Sequence, residues 1–442
     1  MSMLRRNLTR LRRSLRIQQG CGPYHGTPLS MLSIDIMHLI LEILSEGDSR
    51  TDLLNLALTC RALWIFTRQY IPKDVTLYAH SNDQTFVLFQ KSVNKDHSYG
   101  RNVRHLTFTT GEKSCNISAR KIRKLLQSLP ALHSLDLGGL PYDHIVPTLF
   151  AKPLQMKYTL KKLDIPGGLD VKDVAELISF PVIRKWRFWL LDDFEFYSKF
   201  PKAATDIWLK ELSFEDSQIA FPLFANVLRR CRNLQLLECN LPLQRPLKEA
   251  ATSREREMET FSAINLAPSL MHVAKTLTKL QLYDDKQIWR KYDGSRLDLS
   301  SFSKLKNIDV PAMLFLAPIS QNIRRGGVYK LFPLTAETIK LKFPANIGIF
   351  YSTSNGKLDA EEYSQFLSTG VDATQSDWIQ EFAINKSFKF PGLQELSLLE
   401  NTSSSGNQAF NSQNWLQPYW IRVSFDEAQI QLKVSLRKNL NI

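Results

Sequence analysis

Leu132-His-Ser-Leu-Asp-Leu137 and, further along the chain, Leu160-Lys-Lys-Leu-Asp-Ile165 set three aliphatic side chains at the same spacing, i, i+3 and i+5. The last two lie two residues apart, the period of an extended strand with one face buried, and the polar residue between them points the other way. The triplet recurs. It stands at Val103/Leu106/Phe108, Ile183/Trp186/Phe188, Leu209/Leu212/Phe214, Leu234/Leu237/Cys239, Leu277/Leu280/Leu282, Leu305/Ile308/Val310, Ala336/Ile339/Leu341 and Leu393/Leu396/Leu398. Most starts follow one another at a step close to that from Leu132 to Leu160. The steps that end at Leu277, Ala336 and Leu393 are longer and imply insertions.

This cadence resembles the leucine-rich repeat, whose core is L-x-x-L-x-L with a period of roughly 20–29 residues. The segments between triplets fit a strand–helix unit. Ile117 to Leu129, Val171 to Ile178 and Phe224 to Cys231 are amphipathic at helical spacing, and Pro130, Pro181 and Pro391 each stand two residues before a triplet, where the chain turns extended. The Asn or Cys that follows the triplet in that family is absent at most positions. The expected class is α/β, an irregular solenoid of leucine-rich-repeat type whose stacked units share one core; another α/β array is the alternative.

Upstream lies a second kind of segment. From Leu29 to Phe66 more than half of the side chains are apolar, against 43% for the whole chain. Between Ile34 and Leu44 only Asp35, His38 and Glu42 are polar, a narrow stripe on a helix that is otherwise apolar. A second helix is expected over Leu53 to Phe66, with Asp52 at its N-cap. So short a segment cannot enclose that much apolar surface unaided, so part of it is expected to meet another protein.

These residues resemble an F-box, a short helical motif that docks a Skp-family adaptor and so joins a cullin-type ubiquitin ligase. Leu32, Asp35, Ile36, Ile40, Leu41 and Leu44 match its first helix; Asp52, Leu53, Leu56, Leu58, Cys60, Arg61 and Trp64 match its second half. Ser33 stands where the motif has proline. The resemblance implies adaptor contacts through Leu32, Ile36, Ile40, Leu44, Leu53, Leu54, Leu58 and Trp64. It also implies a target protein held by the repeats.

The domain expectation is therefore a basic, disordered arm over 1–27, an F-box-like motif over 28–68, a junction over 69–100 and the repeat domain over 101–442. The arm carries six arginines and no acidic residue, a composition shared by solvated arms, transit peptides and nuclear-localisation or nucleic-acid patches. In the junction, Asp74 to Ala79 and Thr85 to Phe89 have the content of a strand and a short apolar element. Leu247 to Met258 is a charged insert, and Ser352–Ala373 and Glu400–Asn414 are expected to be surface loops. Tyr419 to Leu436 alternates, and two strands are expected there to cap the last repeat.

The 57 basic and 43 acidic side chains leave a net charge of +14, which permits acidic partners without requiring them. Five scattered cysteines form no CxxC pair, so neither zinc site nor disulfide framework is expected, and a cytoplasmic or nuclear setting fits. No run of about 18 apolar residues occurs, so no membrane span is expected. No HExxH, GxSxG, GxGxxG or complete P-loop is present, and Gly111-Glu-Lys-Ser lacks the upstream glycine. The expectation is a binding protein without catalytic residues, metal or cofactor.

Strand geometry predicts the binding positions. The residue between the last two members of each triplet, and its neighbours two away, point to the concave face. Arg187, Trp189, Glu238, Gln281, Tyr283, Asp309 and Lys340 are the candidates for contact with a substrate protein, with Trp189 and Tyr283 as aromatic anchors. Mixed signs along this row argue against a phosphate-tracking groove. A protein-interaction scaffold with no ubiquitin link and a basic nucleic-acid-associated protein are the alternative functions.

Overall fold

The computed structural model describes residues 33–46, 50–59, 73–78, 84–109, 117–140, 158–165, 182–189, 207–215, 219–242, 259–284, 290–316, 325–343, 348–350, 373–400, 412–415 and 417–437, with positions 63, 66, 67, 70, 149 and 217. The chain divides into two compact units, Met1–Asp74 and Val75–Ile442.

The first unit contains α1 (Ile34–Glu46) and α2 (Arg50–Thr59). Ser33, in the place of the motif's proline, caps α1: its hydroxyl accepts the Ile36 backbone N–H at 3.3 Å, satisfying one of the donors a helix start leaves open. Because α2 begins at Arg50, Asp52 falls within its first turn instead of at its cap, where a carboxylate still complements the helix dipole. Leu41, Leu53 and Ala57 form the hairpin's own core, with Leu44, Leu56, Phe66 and Tyr70 packed around it.

The second unit is α/β. Its strands are β1 (Asp74–Tyr78), β2 (His105–Thr109), β3 (Ser134–Asp136), β4 (Lys162–Ile165), β5 (Lys185–Trp189), β6 (Glu211–Glu215) and β7 (Leu236–Asn240). After these come β8 (Glu259–Phe261), β9 (Lys279–Tyr283), β10 (Arg290–Tyr292), β11 (Asn307–Pro311), β12 (Thr338–Phe343), β13 (Glu395–Glu400), β14 (Ser412–Asn414) and β15 (Gln431–Arg437). Thirteen of them make one sheet, ordered as in the chain from β1 to β7 and then β9, β11, β12, β13, β15 and β14. The pairings described from β2 to β15 are parallel, and β14 closes the edge antiparallel to β15. β8 and β10 pair separately.

All ten triplets fall on successive strands of the sheet in the same register, and every one of their side chains is at most 4% exposed. Each fully buried Leu, Ile or Phe contributes roughly 1.5–3 kcal/mol of transfer free energy, so the repeated triplets are the main source of cohesion. A backbone device accompanies them. The residue after the first triplet member offers its carbonyl to two N–H groups of the next repeat: Arg104 O accepts from His133 (2.7 Å) and Ser134 (2.9 Å), and Lys161 O from Arg184 (2.8 Å) and Lys185 (3.1 Å). The same fork joins Thr278 to Lys306 and Asn307, and Lys306 to Glu337 and Thr338. A carbonyl has two lone pairs, so both donors are satisfied at each corner. Threonines add to it; the Thr159 hydroxyl donates to Leu132 O at 2.8 Å and that of Thr335 to Leu305 O at 2.8 Å.

Helices fill several connections: α3 (Gln84–Lys95), α4 (His97–Asn102), α5 (Ala119–Gln127), α6 (Phe221–Arg230), α7 (Ala263–Met271), α8 (Ala373–Ile384), α9 (Lys386–Lys389) and α10 (Tyr419–Glu427). α5 and α6 lie where the amphipathic spacing predicts them, burying Ile122, Leu125 and Leu126, and Leu223, Phe224, Val227 and Leu228. The stretch 171–178 lies outside the described residues, as do Leu247–Met258 and nearly all of Ser352–Ala373.

Asp74–Tyr78 is the expected strand, and the short apolar element Thr85–Phe89 lies within the twelve-residue helix α3, whose buried Phe86 and Val93 are seven apart, two helical turns. One segment differs from expectation. Tyr419 to Leu436 holds one helix and one strand in place of two strands. Ile421 and Phe425, both buried, are four apart, a spacing that alternation and a helical turn share. The second capping strand is Ser412–Asn414, inside a stretch expected to be loop.

Candidate binding surfaces

On α1, Met37 and Leu41 turn inward, while Ile34, Ile36, Leu39 and Ile43 are 61, 46, 57 and 47% exposed. Ile36, Leu39 and Ile43, at i, i+3 and i+7, form a continuous apolar stripe along one helix face. Ile40 and Leu44 are half-buried beside it. Leu53, expected at the adaptor contact, is only 2% exposed and belongs to the hairpin's internal core. Leu39 and Ile43, which the motif match does not pick out, take its place at the surface. Leu32, Trp64 and the side chains of Leu54 and Leu58 lie outside the described residues. His38, read as polar surface, is half-buried; its Nδ1 is 2.7 Å from Tyr70 Oη and its ring meets Phe66 edge-on at 5.9 Å. Burial, and after it the Glu42 charge, push the Tyr70 phenol up.

On the sheet, the predicted central residues form one transverse row in register: Asp164 against Arg187, then Ser213, Glu238, Gln281, Asp309 and Lys340. Their side chains are tied to one another. Arg187 forks onto Glu215, Nε to Oε1 at 2.7 Å and Nη2 to Oε2 at 2.9 Å. The Ser213 hydroxyl lies 3.2 Å from Glu215 and 3.3 Å from Glu238, with one proton to give. Tyr283 Oη donates to Glu238 at 2.7 Å, and the Lys342 ammonium sits 4.1 Å from the Tyr283 ring centroid. Asp309 takes Lys342 at 2.9 Å and Lys340 at 3.3 Å. Glu395, nearer the C-terminal edge, accepts from Lys433 at 2.8 Å and Ser397 at 2.7 Å; these bonds, Lys433 first, hold its carboxyl below the ordinary carboxylate range.

Arg187, Glu238, Tyr283, Asp309 and Lys340 thus come together in one polar network, with Gln281 in the row between Glu238 and Asp309. Tyr283, expected as an exposed anchor, is half-buried, held at its hydroxyl by Glu238 and over its ring by Lys342. The Trp189 side chain lies outside the described residues, though its backbone pairs with Glu215 in β5. The row thus presents mixed charge with fixed hydrogen-bond directions.

Among the described residues no group of three or more His, Cys, Asp or Glu could hold a metal ion, and no described helix is long and apolar enough to cross a membrane. A third feature escaped the sequence reading: a row of basic residues at the position after the first triplet member, Arg104, His133, Lys161, Arg184 and Lys210. Aligning the triplets is enough to find it. No family model matches the chain, and no curated protein matches it.

Proposed function

We propose that this chain is a substrate-recognition subunit of a cullin-type ubiquitin ligase, with an F-box-like hairpin that docks a Skp-family adaptor and a leucine-rich-repeat-like domain that holds a target protein. The observation that carries the reading is the apolar stripe Ile36, Leu39 and Ile43, left exposed by a helix whose opposite face already fills the hairpin core. Single exposed aliphatic residues are ordinary; three in helical register on one short hairpin favour a partner. A standard interface would bury about 800 Å² on each side, and Ile40 and Leu44 flank the stripe to extend it. The regular register of the ten triplets supports the repeat half of the reading, and the mixed-charge row offers the target a surface. The chain would then contribute positioning, raising the effective concentration of target lysines near a recruited conjugating enzyme.

The test is capture of a purified Skp-family adaptor on the immobilised full-length chain. Wild type is expected to retain it and Leu39→Asp to lose it, because a carboxylate placed in an apolar contact is left without a partner. Position 39 is exposed, so the variant should keep its fold, which circular dichroism checks. A wild type that retains no adaptor, or a folded Leu39→Asp that retains it fully, refutes the proposal. The chain would then be a protein-binding scaffold.

A further inference from the structure

The five consecutive strands β2 to β6 are each preceded by a basic residue at the same register position, four of them cations: Arg104, His133, Lys161, Arg184 and Lys210. The forked backbone bonds described above fix these residues in line, because each is the corner whose carbonyl or N–H joins the next repeat. With neighbouring strands about 4.8 Å apart, the row runs about 19 Å. Counting this position and the one after it, eight of ten side chains over β2 to β6 are Arg, Lys or His, and one is acidic. The same positions over β7, β9, β11, β12 and β13 hold two lysines and two glutamates. The charge therefore belongs to one half of the sheet edge and is not a reflection of the chain's overall basicity.

The strip is accessible and only partly neutralised. Lys161 and Lys210 are exposed, and neither makes an ion pair among the described residues. The inner members Lys162 and Lys185 already hold carboxylates, Asp164 and Glu211, each at 2.6 Å. Aromatic surface adjoins it: Trp208 is 55% exposed, with the Arg184 guanidinium 5.9 Å from its ring centroid, and Tyr158 is 64% exposed. Aromatic and arginine side chains at a surface are the residues in which protein interfaces concentrate their energy. The basic groups also act on one another. Burial first, and then the charges of Lys161, Arg104 and His105, push the His133 imidazole below its ordinary value.

We propose that this edge is a docking strip for a carboxylate-rich extended segment of a partner protein, lying across the strands along Arg104, His133, Lys161, Arg184 and Lys210. About six extended residues span the row at about 3.3 Å each, so a short Asp/Glu-rich stretch suffices. The Lys162–Asp164 and Lys185–Glu211 pairs neutralise the inner row, so the basic charge is confined to one narrow line that matches a single extended acidic segment and not a broad phosphate track. This strip belongs to the second unit and stands independently of the adaptor reading.

The experiment is fluorescence anisotropy with the full-length chain and a labelled eight-residue Glu/Asp peptide, beside a Gln/Ser peptide and an oligonucleotide of equal charge. Wild type is expected to bind the acidic peptide, more weakly as salt rises through the range where the Debye length falls below about 10 Å. Lys161→Glu/Lys210→Glu should weaken it by about tenfold or more, while Lys275→Glu/Lys304→Glu, an equal charge change at exposed lysines off the strip, should not. Lys161→Gln/Lys210→Gln should give an intermediate loss, and it decides the matter if the reversed pair unfolds. Absence of acidic-peptide binding by wild type, an unchanged affinity in the strip variants, or tighter oligonucleotide binding lost in those variants overturns the proposal.

Discussion

The Tyr283 hydroxyl reaches 2.7 Å across from β9 to the carboxylate of Glu238 on β7, residues 45 apart in the chain. The same ring carries Lys342 above it, so one side chain joins three strands through a hydrogen bond and a cation–π contact. Tyr283→Phe keeps the ring and removes the bond. It should cost about 1 kcal/mol, the usual net value of one such bond. Urea unfolding of wild type and variant reads it, and adding Glu238→Gln should cost less than additively, because the pair is then already broken.

Leu280 and Gln281 are neighbours with opposite fates. Leu280 is fully buried and Gln281 faces the polar side. Leu280→Ala should lower stability by about 2–5 kcal/mol, through lost transfer energy and the cavity left behind. Gln281→Ala should stay within about 0.5 kcal/mol. Equal losses in chemical denaturation would mean that the faces are assigned wrongly.

Glu395 gives the sheet a pH dependence with a defined sign. Its carboxyl is held low in the folded state by Lys433, Ser397 and, more distantly, Lys340, so the unfolded chain binds its proton more readily. The stability it contributes is present above the ordinary carboxylate range and is lost as pH falls through and below that range. Lys433→Gln removes the first of these causes. The variant should lose less stability than wild type on acidification from neutral pH to below the carboxylate range, as melting temperatures across that interval would show.

Cys231 and Cys239 are buried, and burial pushes the Cys231 thiol up to about 12 and the Cys239 thiol higher, the latter aided by the Glu238 charge. A thiol so held supplies almost no thiolate at neutral pH. Neither should react with a thiol-specific reagent in the native protein, and both should react once it is denatured. Peptide mapping by mass spectrometry distinguishes the two states.

The triplets were legible because their spacing carries its own geometry: Leu135 and Leu137, or Leu280 and Leu282, can share a buried face only on a strand. Helices with a clear apolar stripe, such as Ala119–Gln127, were legible for the same reason. Where two periods coincide, spacing does not choose. Ile421 and Phe425 satisfy both alternation and a helical turn, and burial on one helical face settled it. The polar face was legible by position and not by partner. Glu238 and Tyr283 meet only because the intervening insert leaves the register of β7 on β9 intact. Nor did the motif match in the hairpin separate Leu53, which is inside, from Leu39, which is outside; that depends on how two helices cross, and no single-helix pattern contains it.

β7 pairs directly with β9 although a long insert separates their triplets, and β8 goes off to pair with β10. The lateral bonds thus require nothing of the excursion except that the chain come back. Phe261, Leu266 and Leu270 of the returning arm are buried in the common core, so the freedom belongs to the charged stretch Leu247–Met258 ahead of them, which makes that stretch a natural place for descendants of the fold to acquire new specificity and a permissive one for grafting a foreign loop or reporter.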